Sequence, residues 1–171
     1  MFNFFNKKTS TPAASEERAA SQYASAPGSE IRYSPTLVDE LKNDHKDLLA
    51  LYMAIKSSFE RGDYGDVSTK LNEFRVGLQG HLLTENVRFY IYIDRVHGQD
   101  QMNSELIRSF RREMDGIGRT ALNFLQKYEM IGVDKALASA FAADFAAIGA
   151  VLTERIKKEE SVLYPLYMPV Y

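Results

Sequence analysis

The feature that most constrains this chain is a stripe formed by Leu41, His45, Leu48, Tyr52, Ile55 and Phe59, spaced 4-3-4-3-4, in which a histidine takes a core position. That spacing puts all six side chains on one face of an α-helix, which must bury the face against another helix. A break at residues 62–65, Gly-Asp-Tyr-Gly, is followed by the matching stripe: Val67, Leu71, Phe74, Leu78, His81, Glu85 and Tyr92. The two segments therefore form an antiparallel hairpin with polar groups on its inner face.

Register decides whether those polar groups meet. His45 and His81 each lie roughly 15 or 16 residues from the break, a depth of about 22–24 Å along either helix. The two imidazoles are expected at one level. The first helix is expected to start with Ser34 as its cap, Pro35 as its first residue and Tyr33 packed back on Val38, and the second to start at Asp66.

Two further helices follow in the same style. Residues 104–128 carry Leu106, Phe110, Ile117, Ala121, Phe124 and Tyr128 inward, with Glu113 on the seam between Phe110 and Ile117. Residues 134–164, stopped by Pro165, carry Phe141, Phe145, Ile148, Leu152, Arg155 and Glu159. Counting back from the third turn places Glu159 deeper than Glu113, so residues 127–137 must absorb the mismatch. The expected fold is all-α, an up-down-up-down four-helix bundle over residues 31–171, with residues 1–30 a flexible Ser/Ala/Thr/Pro-rich tail.

Composition narrows the function. With 45% hydrophobic residues the chain can bury one sizeable core, and a net charge of −2 with interspersed signs argues against nucleic-acid binding. The absence of cysteine removes disulfides and thiolate metal sites. The opening residues MFNFFNKK make no secretory leader and no apolar run is expected to span a membrane, so residence in the cytoplasm is the expectation. Neither a phosphate-binding glycine loop nor a nucleophile elbow is present, and turnover of an organic substrate is not expected.

What remains is the polar interior. His45, His81, Glu85, Glu159 and Glu113 are candidate ligands, because imidazole and carboxylate together suit iron, manganese or zinc, as one ion or two. Arg155 offers the opposite solution: a permanently charged guanidinium that forks onto Glu85 or Glu159 and leaves a network satisfied without metal. Both solutions stay open on the residues alone.

The segments LKNDHKDLLAL around His45, GHLLTENVRFY around His81 and Glu85, and ERIKKEESVLYPLY around Glu159 and Glu160 resemble the hemerythrin and HHE cation-binding family over residues 35–167. The resemblance implies an up-down four-helix bundle, often with a di-iron site that binds oxygen or senses iron and oxygen. It carries His45, His81, Glu85 and Glu159 over as metal ligands. Glu113 is a candidate from helix phase alone, and Glu160 is adjacent. Two histidines of the family pattern are missing, one near Arg111 or Arg112 and one at Arg155, so the resemblance implies a divergent, iron-holding site in a sensing, storage or regulatory role rather than oxygen carriage. The order LVDE, GH with Glu85, and IGAVLTERIKKEE is also similar to the bacterial regulator of sigma D family. That similarity implies a metal-free helical bundle whose surface binds a protein partner such as the primary sigma factor of RNA polymerase.

Overall fold

The computed structural model describes residues 23–170 and, among them, four helical rods that pack as an all-α bundle. The first rod is α1, Leu37–Glu60. The second begins as α2, Tyr64–Thr84, passes through a π-helical turn at Glu85–Phe89 and continues as α3, Tyr90–Val96. The third is α4, Gln101–Lys127. The fourth starts with a 3-10 turn at Lys135–Leu137, runs as α5, Ala138–Lys158, widens into a second π turn at Glu159–Leu163 and closes with a 3-10 turn at Tyr164–Leu166. Chain neighbours pack together, and α1 also meets α5 while α2 meets α4.

The hairpin between α1 and α2 is tight because Gly62 adopts φ 71°, a left-handed conformation that ends the helix while its N–H donates to the Phe59 carbonyl. Asp63, not Asp66, caps α2 by accepting from the Asp66 N–H at 3.0 Å. Asp66 instead accepts from the Ser58 hydroxyl at 2.5 Å and pairs with Lys70, tying the turn to both helices. The first helix also starts later than its sequence signals suggest. Leu37 is its first residue, Thr36 sits at the cap and donates its hydroxyl to Glu40, and the Ser34 N–H donates to the Tyr167 hydroxyl at 2.9 Å. Similarly α4 starts at an Asp100 cap, ahead of the expected residue 104.

Of the expected tail, residues 1–22 lie outside the described residues. Residues 23–30 pack on the bundle: Ala26 is buried, the Ala24 N–H donates to the Val170 carbonyl at 2.9 Å, and the ring of Tyr23 meets that of Tyr33. By length and composition, the fourth rod over Lys135–Leu166 is the one helix among the described residues apolar enough to cross a membrane, with mean hydropathy 1.7 over its best window. The sequence reading of no such run is corrected on this point, because residues 138–152 hold a single charge, Asp144, and are rich in alanine. Phe141, Phe145 and Ile148 of this rod face the bundle core, and alanines face outward.

Two apolar cores divide the bundle. One, nearer the α1–α2 hairpin, gathers Ile55, Val67, Leu71, Phe74, Ala121, Leu125, Phe141 and Phe145. The other, at the opposite end, gathers Leu37, Leu41, Phe89, Tyr90, Ile107, Phe110, Leu163 and Tyr164. Between them each rod crosses from one core to the other, and the crossing is where the buried polar residues lie: His45 between Leu41 and Leu48, His81 and Glu85 between Leu78 and Phe89, Arg155 and Glu159 between Ile148 and Leu163. A polar layer sandwiched by two dry cores is thus built by stripe position on three rods.

Candidate metal centre

His45, His81, Glu85, Arg155 and Glu159 are each exposed by 3% or less, so every charge or lone pair among them must find its partner inside the layer. The partners are specific. His45 Nδ1 lies 2.8 Å from Glu160 Oε1 on the outer side of the layer, and His81 Nδ1 lies 3.4 Å from Asp44 Oδ2. With both Nδ1 atoms turned toward carboxylates, the two Nε2 atoms point inward and face one another at 3.2 Å. Glu159 Oε2 is 3.3 Å from His45 Nε2, and Glu85 Oε2 is 3.9 Å from His81 Nε2.

Both glutamates stand at the first residue of a π turn. Such a turn inserts one residue into the helical frame, and it recurs at functional sites because it re-aims the side chains that follow. Here it lets Glu85 and Phe89, and likewise Glu159 and Leu163, face inward on the same rods that carry Tyr90 and Tyr164 into the core. Tyr164 closes the layer from the far side, its hydroxyl donating to Glu85 Oε1 at 3.0 Å and lying 3.3 Å from His45 Nε2, its ring stacked on that imidazole.

Arg155 occupies the remaining flank. Its Nε donates to Glu159 Oε1 at 2.6 Å, its Nη2 donates to the Tyr90 hydroxyl at 3.1 Å, and its guanidinium carbon sits 4.6 Å from the centre of the Phe110 ring. Nη1 is buried without a hydrogen bond, 3.5 Å from Glu113 Oε2. A cavity of about 30 Å³, roomy enough for a water-sized molecule, lies against the two imidazoles and Arg155 and is walled by Leu48, Tyr52, Leu78 and Leu152.

Electrostatics follow from this packing. Burial, and next to it the Glu159 carboxylate, push the Glu85 carboxyl up to about 8. Glu159 goes the other way: burial would raise it, but hydrogen bonds to His45 and the charge of Arg155 hold it below its ordinary value. Burial would lower His45, yet its bonds to Glu159 and Glu160 keep it above the usual imidazole value, while burial and the charge on His45 depress His81. Burial raises the Tyr164 hydroxyl far above its ordinary value, so it stays a donor.

Of the residues singled out in the sequence, the structure brings His45, His81, Glu85 and Glu159 together. Glu113 lies at the rim instead, its side chain 42% exposed, where it meets Lys158 and Arg155. The inward residue at that level of α4 is Met114, since the buried stripe there runs Phe110, Met114, Gly118, Ala121. The Arg88 side chain, on the π turn that Glu85 begins, lies outside the core and pairs with Glu40 at 2.7 Å. Asp44, Glu160 and Tyr164 also touch these groups; Asp44 and Glu160 stand next in sequence to His45 and Glu159, whereas Tyr164 offered in the sequence only the aromatic character of a residue that lines a pocket.

One ligand atom each from His45, His81 and Glu159 can be chosen so that all lie within 4.8 Å of one another. Two nitrogens bonded at about 2.0–2.1 Å to one tetrahedral ion stand about 3.3 Å apart, which the observed 3.2 Å spacing of the Nε2 atoms already meets. The donor set, two imidazoles with a carboxylate and Glu85 beside them, suits a transition metal, so the residues fit an ion. In the comparisons with known proteins, the family model of the hemerythrin HHE cation-binding domain matches residues 36–167. No curated protein and no solved structure matches the chain.

Proposed function

The chain belongs to the hemerythrin HHE cation-binding family, and we propose that it holds a transition metal, iron by preference, in a sensing, storage or regulatory role inside the cell. The observation that carries this reading is the pair of Nε2 atoms facing at 3.2 Å with both Nδ1 atoms turned to carboxylates. Imidazoles oriented in this way present lone pairs to a shared point, and the outer carboxylates raise their basicity as they do around many metal-bound histidines. His45, His81 and Glu159 would hold the ion, with Glu85 as a fourth donor. The ion would supply Lewis acidity and, if iron, a one-electron redox couple.

This chain's residues do the rest. The two apolar cores close the layer above and below, Tyr164 holds Glu85 by donating to it, and the small cavity beside the imidazoles has room for a molecule of water size. The test is metal analysis of protein purified without chelator or affinity-tag metal, with thermal melts of apo protein before and after ferrous iron. Bound iron and a raised Tm, both lost in His45→Ala, are the expected outcome. An apo Tm that iron does not move counts against the reading.

A second reading draws on the 2.6 Å contact from Arg155 to Glu159, which already neutralises one ligand. On that reading the layer is a metal-free structural network, and the bundle surface binds a protein partner such as the primary sigma factor of RNA polymerase. Co-purification with RNA polymerase by chelator-treated protein tests it.

A further inference from the structure

Arg155 makes this site unlike a plain carboxylate and histidine cluster, and it has no counterpart among the ligand types that the hemerythrin resemblance implies at its position. We propose that Arg155 acts as a resident cation that restricts the centre to a single divalent ion. The inference rests on the metal-binding reading above.

Three observations carry it. The guanidinium is fixed on four sides: by Glu159, by the Tyr90 hydroxyl, by the face of Phe110 and, across 3.5 Å, by Glu113. It is buried to the same depth as the ligands themselves. A carboxylate that bridges two ions with one oxygen on each needs both free, but Glu159 has given Oε1 to Arg155 and has only Oε2 on the imidazole side, 3.3 Å from His45. Glu85 is similarly committed at Oε1 to Tyr164.

The donor supply is the second limit. Among the described residues the buried polar set is His45, Ser58, His81, Glu85, Arg155 and Glu159, and Ser58 belongs to the α1–α2 turn. The other buried oxygens of the layer are already engaged, the Tyr164 hydroxyl by donating to Glu85 and the Tyr90 hydroxyl by accepting from Arg155, and Glu113, an outer carboxylate, faces Arg155.

Charge is the third. In the ion-binding form, with Glu85 and Glu159 both ionised, the two glutamates and one arginine carry a single negative charge, which one divalent ion overturns to a single positive charge. A second divalent ion would leave three positive charges among the buried groups between two apolar cores, faced only by the partly exposed carboxylates of Asp44, Glu113 and Glu160 at the rim, and such an excess of buried charge is strongly disfavoured. The same balance means that removing the guanidinium charge strengthens binding of the first ion.

Cobalt(II) titration of the chelator-treated full chain, followed by counting metal per chain after gel filtration, tests the proposal. One ion per wild-type chain is expected, with none in His45→Ala. Arg155→Lys, which keeps the charge, should also bind one. In Arg155→Met the dissociation constant should fall by about tenfold or more, as expected on removing one unit charge at close range in a partly screened interior. Two ions per wild-type chain, both lost in His45→Ala, would overturn the single-ion assignment and leave the metal-binding reading intact. No bound ion would remove both. An Arg155→Met affinity equal to wild type would deny the guanidinium its electrostatic role, and should that variant not fold, the wild-type count still decides.

Discussion

The Nε2 atoms of His45 and His81 face one another at 3.2 Å across the middle of the bundle. Two neutral imidazoles whose Nδ1–H groups both donate to the outer carboxylates place lone pair against lone pair in that pose unless something positive sits between them. A proton in that gap favours His45, whose affinity for it is raised, over His81, whose affinity is lowered. A proton and a metal ion therefore compete for one place.

Metal binding is accordingly expected to release a proton at neutral pH from Glu85, whose carboxyl is pushed up to about 8. Affinity should rise with pH until roughly that value and then level off. Calorimetric titration of cobalt(II) in buffers of different ionisation enthalpy measures the release directly. A buffer-independent heat together with a flat pH profile would contradict the arrangement described.

Glu160 touches only the outer nitrogen of His45, at 2.8 Å, and its side chain is 37% exposed. Glu160→Gln should leave the fold intact while weakening metal binding about 10- to 100-fold, the usual cost of disturbing a carboxylate behind a ligating histidine. Circular dichroism and metal titration separate the two effects. An unchanged affinity would show that His45 is held in place by packing against Tyr164 alone.

Glu85 gives the metal-free protein a pH signature. Its ordinary value is 4.5 and its folded value about 8, so between those limits the folded state keeps a proton that the unfolded chain has released. The stability linked to this group is present in full below about pH 4.5 and is lost as pH rises through 8. Comparing Glu85→Gln with wild type cancels the other titrating groups, and the variant should lose stability more slowly across that range. Parallel urea-denaturation profiles from pH 5 to 9 for the two proteins would go against it.

Gly149 of α5 is where Tyr52 of α1 lies closest: a Cβ there would stand 2.3 Å from the Tyr52 hydroxyl oxygen. Gly149→Ala must displace that ring, which lines the cavity beside the imidazoles, at a cost of about 1–3 kcal/mol for overpacking. Pairing it with Tyr52→Leu should recover most of the loss. Denaturation midpoints of the two single variants and the double variant give the coupling, and strict additivity would mean that the contact is not the cause.

The level meeting of His45 and His81 was legible in the chain because it depends on local quantities alone: a constant rise per residue, a short turn ended by Gly62, and stripes that hold their period on both sides of it. The inward positions of Glu85, Arg155 and Glu159 followed from the same periodicity. Glu113 shows where that logic stops. Adjacent residues on a helix differ by only about 100° in direction, so a stripe through Glu113 and one through Met114 fit the pattern of α4 nearly equally, and the neighbouring rods settle the matter. The two π turns were likewise invisible, since each exchanges one local hydrogen-bond register for another and is held by the side chains it turns inward. Contacts such as Tyr164 with Glu85, or Glu160 with His45, join residues 79 and 115 positions apart. Helical periodicity determines which face a residue occupies, whereas the partner that satisfies its charge is chosen only when the rods pack and the cost of a bare buried polar group has to be met.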